Sequence, residues 1–167
     1  MTSKEKEKAF FEIAKKMNER FAIIPLLFGS VALNMLVDED VWTGDIDIAI
    51  PHYFRPDRKW LCPDVVKLME EIGYQFTDMH EGEFHRGEIM VHIAGDNIFK
   101  EYANIDVMEC PIIHTNGAIY KLSTPEHHVK SYTVTAEQYR RDGVTDEDIN
   151  HVLNKADIAR KAHERRS

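Results

Sequence analysis

Cysteine is scarce: Cys62 and Cys110 are the two in 167 residues. Two thiols make neither a disulfide framework nor a zinc cluster, and free buried thiols are the expectation. Long apolar runs are also missing. No stretch approaches the roughly 20 residues needed to cross a bilayer, so no membrane association is expected. Met1-Thr2-Ser3-Lys4-Glu5-Lys6-Glu7-Lys8 is charged, with no apolar signal segment behind it, and the expected location is the cytoplasm. Positive charge is short as well: 21 Lys and Arg against 29 Asp and Glu leave a net charge of −8. A coat for duplex DNA or RNA needs a basic surface, so long nucleic acid is disfavoured as a partner. A small anionic ligand is not, because a metal and a few local donors can invert the field in one cleft. The basic cluster Arg160-Lys161 and Arg165-Arg166 reads as a solvated helix end, where cations suit the dipole. There is no internal repeat and no low-complexity linker.

Apolar residues make up 43% of the chain, enough for a sizeable core, and the length suits one domain. Residues 4–20 place Phe10, Phe11, Ile13, Ala14 and Met17 at helical spacing. A strand is expected from about Pro25 to Phe28, since proline cannot donate within a ladder. Gly29-Ser30 ends it, and 31–37 reads as a helix with Ser30 as its N-cap. Asp38-Glu39-Asp40 is an acidic loop. Asp45 to Ile50 alternates as a strand ended by Pro51. Pro63 to about Ile72 is a helix stopped by Gly73. Strands are expected over 74–77, 88–94, 104–109, 112–113 and 119–122, with the polar stretch 78–87 between the first two. Thr124-Pro125-Glu126 starts a helix to about Arg141, and Thr145-Asp146-Glu147-Asp148 starts a last one. The expected architecture is α/β (α+β): a small mixed sheet with flanking helices, residues 1–122, closed by a C-terminal helical pair, 123–167.

The chemistry concentrates in one stretch. Leu27-Phe28-Gly29-Ser30 is followed, after fourteen residues, by Asp45-Ile46-Asp47-Ile48. Successive side chains of a strand point to opposite faces, so Asp45 and Asp47 share a face while the isoleucines take the core. Two carboxylates about 4 Å apart repel by about 4 kcal/mol at an effective dielectric near 20. Exposure, a proton or a cation must offset that. Paired hard oxygens are what Mg²⁺ uses alongside substrate phosphates. Asp106, flanked by Ile105 and Val107, repeats the pattern and is the candidate third acid, with Asp96, Glu101 and Glu109 as nearby rivals. Glycine at a strand-to-helix turn permits close backbone approach, and the helix behind it offers N–H groups to an anion.

These residues resemble the nucleotidyltransferase superfamily that includes DNA polymerase beta and the small antibiotic-modifying nucleotidyltransferases. The shared pattern is a hydrophobic residue, Gly, Gly or Ser, a spacer, then Asp-hydrophobic-Asp/Glu-hydrophobic, with a third acid on a later strand. It covers roughly residues 21–110. Departures are a long spacer, no arginine after Gly29-Ser30, and a long reach to Asp106. The resemblance implies Mg²⁺ (or Mn²⁺) held by Asp45, Asp47 and Asp106, phosphates on Gly29 and Ser30, and Lys130 or Lys121 at the triphosphate. It implies transfer of a nucleoside monophosphate from an NTP to a hydroxyl, with Asp106 as a candidate base. The acceptor stays open among an aminoglycoside-like or lincosamide-like small molecule, a protein hydroxyl and an RNA end. Two other classes compete: a non-catalytic nucleotide- or partner-binding module of toxin–antitoxin type, and a metal-dependent phosphohydrolase.

Plainer roles stand beside these. His80, His85 and His92 fall in a hairpin and His127-His128 in a helix, and neither set has zinc spacing, so packed or solvated histidines are expected. Lys130 reads first as a solvated lysine. Trp42 and Tyr53 could stack on a base, though rim packing serves either.

Overall fold

A computed structural model describes residues 1–166. Seven strands form one mixed sheet in the order β3-β4-β5-β2-β1-β7-β6. They are β1 (Leu26–Phe28), β2 (Ile46–Ile50), β3 (Gln75–Asp78), β4 (Glu83–Arg86), β5 (Ile89–Gly95), β6 (Ile112–Thr115) and β7 (Ala118–Leu122). β2 runs antiparallel to β1 and parallel to β5, and β1 runs parallel to β7. The helices are α1 (Ser3–Phe21), α2 (Gly29–Leu36), α3 (Pro63–Glu71), α4 (Ile98–Ala103), α5 (Pro125–Arg141) and α6 (Asp146–Arg166). None of the described helices is long and apolar enough to cross a membrane.

Periodicity decides which face each element buries. α1 starts on a reciprocal cap: Thr2 Oγ1 accepts from the Glu5 N–H at 3.2 Å, and the Glu5 carboxylate accepts from the Thr2 N–H at 2.7 Å. Its apolar stripe of Phe10, Ile13, Ala14 and Met17 packs with Leu68 and Met69 of α3 on one face of the sheet. There it meets Ile46, Ile48 and Ile50 of β2 and Val91 and Ile93 of β5. The alternation of β2 therefore turns Asp47 to the opposite face, where a smaller cluster of Leu26, Ala49, Phe99, Ile105 and Cys110 sits under α4. A third cluster, Leu33, Val41 and Ala159 with Val129 and Tyr132, docks α5 and α6 against α2.

Three expectations need correction. Residues 104–109 are not a strand. α4 ends on Asn104 in the left-handed conformation (φ 53°), and a 3-10 turn follows over Val107–Glu109. Asp106 caps that turn, its Oδ1 accepting from the Met108 N–H at 2.9 Å. Apolar residues at alternate positions fit a turn over a hydrophobic patch as well as a strand, and here Ile105 alone is fully buried. Second, α4 occupies a stretch where no element is expected, and strand β4 lies within the polar connection 78–87. Third, Ser30 does not cap α2. The helix begins at Gly29, and Ser30 Oγ instead accepts from the Gly44 N–H at 2.9 Å.

Candidate functional site

The two aspartates and the Gly-Ser turn do meet. β1 and β2 pair with Phe28 opposite Asp47, so the turn into α2 begins where Asp47 sits. Gly29 has φ +75°, a backbone few other residues adopt. A Cβ there would overlap Asp47 Oδ2 and lie 3.0 Å from its Cγ. The glycine thus brings backbone and carboxylate into direct apposition. Ser30, 7% exposed, ties the segment before Asp45 to the start of α2 through Gly44. Ser30 therefore shapes the turn by fixing its partner loop.

On the other side of β2 lies β5, and Asp47 pairs in register with His92. His92 Nε2 donates to Asp45 Oδ2 at 3.0 Å. That bond, opposed by burial and aided by the charges of Asp47 and Asp45, holds the imidazole well above its usual range, so it is cationic. Glu83 of β4 is the next residue in the same cross-strand row, 4.0 Å from His92, and is engaged by Thr77 and His85. Asp47 itself is half-buried, and among the described residues no hydrogen bond reaches its carboxylate. Burial raises its pKa most. His92 opposes that, Asp45 adds to it, and Lys155 opposes it again. A desolvated carboxylate beside another carboxylate is held ionised only by nearby cations.

Lys155 of α6 is one of those cations. It is 9% exposed, with Nζ 5.1 Å from the centroid of Trp42 and 5.8 Å from that of Tyr132. Among the described residues its ammonium makes no hydrogen bond or ion pair. Trp42 is 67% exposed and packs beside His151 and over Gly44. A cleft of about 620 Å³ opens from Asp45, Asp47 and His92 toward Arg58, Asp57 and Glu101. Arg55 forms its floor and is committed to structure, its Nη2 donating to the Met79 and His80 carbonyls at 2.8 and 3.0 Å.

Two expected site residues lie elsewhere. Asp106 is exposed, caps its 3-10 turn, and is not among the charges acting on Asp47. Lys130 is exposed on α5 and lines neither the carboxylate cleft nor the cavity beside Gly29. Among the described residues no group of three or more His, Cys, Asp and Glu converges to hold a metal unaided. The residues that sequence reasoning missed, His92 and Lys155, each left a trace. His92 alternates with core-facing Val91 and Ile93, and Lys155 interrupts the stripe Ile149, Val152, Ala156, Ala159.

No family model matches the chain. It is 34% identical over 149 residues to the uncharacterized protein YnaI of Bacillus subtilis (strain 168), a match covering 87% of this chain and 94% of that protein. The chain belongs to the YnaI family. Solved structures give the fold this family member adopts. An antigenic nucleotidyltransferase-like protein from Paracoccidioides brasiliensis superposes with a TM-score of 0.60 at 13% identity, over 93% of this chain and 75% of that one. The antibiotic-resistance factor ANT(2'')-Ia superposes with a TM-score of 0.57 at 14% identity, over 99% of this chain and 94% of that one. Its complex with adenylyl-2''-tobramycin gives 0.57 at 13%, over 98% and 99%. The fold is that of the nucleotidyltransferases, as the Gly-Ser and Asp-Ile-Asp motifs implied.

Proposed function

We propose that the chain is a Mg²⁺-dependent nucleotidyltransferase that moves a nucleoside monophosphate from an NTP to a hydroxyl of a small acceptor. One observation carries this reading: Asp47, two residues from Asp45, sits directly against the start of α2 at Gly29. The donor chemistry fits a divalent cation. Mg²⁺ is held by one or two carboxylates plus phosphates and water, so no third acid is required. Asp47, with no donor on its carboxylate among the described residues, has the electrostatic need for one. Asp45 and Asp47 would hold it, and when bound it neutralises charge on the phosphate oxygens.

The remaining roles belong to the chain. The free N–H groups at the start of α2 cradle a phosphate, which the helix dipole favours. Lys155 adds a positive charge from α6. His92 is a positioning residue, fixing Asp45 by its 3.0 Å bond. The acceptor occupies the 620 Å³ cleft, whose acids Asp57 and Glu101 suit a polar or cationic molecule. Attack by its hydroxyl oxygen on the α-phosphorus breaks the α–β phosphoanhydride bond and releases pyrophosphate, the hydroxyl proton passing to solvent.

A second reading, a nucleotide-binding module without transfer, is favoured by His92 standing in register with Asp47 where a third acid would complete the set. Calorimetry and product analysis separate the two. The transferase binds an NTP only with Mg²⁺ and releases pyrophosphate in the presence of an acceptor hydroxyl. Asp47→Asn is expected to reduce transfer at least 100-fold. Full activity in Asp47→Asn would refute the assignment, and NTP binding without any pyrophosphate or phosphate release would establish the module.

A further inference from the structure

Gly29 has a second neighbour that the transfer site leaves unexplained. On its other side a cavity of about 160 Å³ lies between β1, α4 and α5. Leu26, Phe28, Phe99 and Ile105 give it apolar walls, with Phe28 and Phe99 edge to face at 4.8 Å. His128 and Tyr132 of α5 line the same space, their rings stacked at 5.8 Å and 20°. His128 is 3% exposed and, among the described residues, its Nε2 has no hydrogen-bond partner. The buried hydroxyl of Tyr132 has none either. The adjacent His127 is different: its Nδ1 meets Cys110 Sγ at 3.4 Å and its Nε2 meets Glu109 at 3.2 Å. Buried polar atoms are ordinarily bonded, so two orphans beside one cavity point to a guest that bonds them.

The chemistry of that guest follows from the walls. Burial pushes His128 down to about 3, with His127 adding to the shift, and burial raises Tyr132 further above neutrality. Both are uncharged at pH 7, so nothing in the cavity pairs with a phosphate or an ammonium. Apolar faces with two neutral hydrogen-bonding groups suit a flat, neutral heteroaromatic ring. A dry cavity of about 150 Å³ accepts a benzene-sized ring, which sets the size at one ring. Position adds the last constraint. Gly29 lines this cavity and also abuts Asp47, and the Asp47 charge reaches Tyr132. Gly29 thus borders both this cavity and the start of α2, where the proposed phosphates would sit.

We propose that this cavity is the nucleobase pocket of the transfer site, shaped for a pyrimidine whose edge bonds His128 Nε2 and the Tyr132 hydroxyl. The proposal rests on the NTP reading above, and the test separates the two by comparing NTPs with inorganic tripolyphosphate, each with Mg²⁺, by calorimetry. Three proteins are needed: wild type, Ser131→Leu to fill the cavity, and Tyr132→Phe to delete one edge group. In wild type, UTP or CTP is expected to bind at least tenfold tighter than tripolyphosphate and tighter than ATP or GTP. That advantage disappears in Ser131→Leu and shrinks several-fold in Tyr132→Phe, while tripolyphosphate binding is unchanged. Tyr132→Phe also keeps or raises the thermal midpoint, because it removes an unbonded buried hydroxyl, so its loss of affinity is not a loss of fold. Equal NTP affinity in wild type and Tyr132→Phe, with tripolyphosphate still bound, overturns the pocket and leaves the transferase reading intact; water then satisfies both atoms. Tighter binding of a purine nucleotide overturns the assignment of ring size. Failure of wild type to bind either tripolyphosphate or any NTP removes the transferase reading and this proposal with it.

Discussion

Gly29 is constrained twice, by its backbone angle and by the carboxylate pressed against it. A non-glycine residue at φ +75° costs about 1–2 kcal/mol. In Gly29→Ala the new methyl group also overlaps Asp47 Oδ2. The expected result is a loss of 2 kcal/mol or more in urea unfolding together with loss of Mg²⁺-dependent NTP binding. His128 gives a second prediction at this scale. In the folded chain it stays neutral down to about pH 3, whereas in the unfolded chain it titrates near the ordinary 6.5. Between those values the unfolded chain holds the extra proton. Stability therefore falls as pH drops below about 6.5, by up to about 1.4 kcal/mol per pH unit, and is unaffected by this group above it. Urea unfolding at pH 7.5, 6.5, 5.5 and 5.0 should show a steeper acid loss in wild type than in His128→Gln. Equal slopes would mean that His128 is not shielded.

Among the elements, the loop from Val37 to Gly44 and the turn around Asp106 behave differently. The Ser30–Gly44 bond anchors the first of them to α2. Ser30→Ala removes it, with an expected cost of about 1 kcal/mol and weaker NTP binding, since Asp45 follows directly. Asp106→Ala removes only the cap of an exposed turn, with an expected cost of about 0.5–1 kcal/mol. NTP affinity in Asp106→Ala should stay within twofold of wild type, and a tenfold loss would return Asp106 to the site. The same contrast explains what could be read from the sequence. Asp45-Ile46-Asp47-Ile48 was legible because a strand with one apolar face admits one orientation. Ile105-Asp106-Val107 was not, because three residues over a small apolar patch fit either a strand or a turn. Neighbouring positions across strands were out of reach. His92 lies 45 residues beyond Asp47, and their register depends on a sheet order that local alternation does not encode.

Taken whole, the molecule builds its site from both ends of the chain. In the proposed site, Asp47 of β2 and Asp45 just before it supply the carboxylates, the start of α2 would cradle the phosphates, and α6, near the C-terminal end of the described residues, brings the buried ammonium of Lys155. Ala156, Ala159 and Val152 share the buried face of α6 with Lys155, and methionine at 155 keeps most of its apolar stem. Lys155→Met removes a desolvated ammonium but also a cation that offsets the charge of Asp47, so the thermal midpoint is expected to move little, while NTP binding weakens at least tenfold. Trp42 provides an optical check: with Trp60 replaced by phenylalanine, its emission should change on NTP addition in wild type and not in Lys155→Met.

The pairing of β1 with β7 also governs how the chain comes together in time. Leu26 lies beside Lys121 and Leu27 beside Leu122, so β1 gains that neighbour only after most of the chain has been synthesised. Parallel pairing across such a separation closes a long loop before any contact rewards it, which slows folding. Until β7 arrives, one edge of the nascent sheet at β1 has open backbone groups, next to the apolar side chains of Leu26 and Leu27. A ribosome-bound chain that ends before Lys121 would therefore be a substrate for chaperones; emergence of β7 closes the open side of β1, and α6, later still, brings the charge of Lys155 to Asp47.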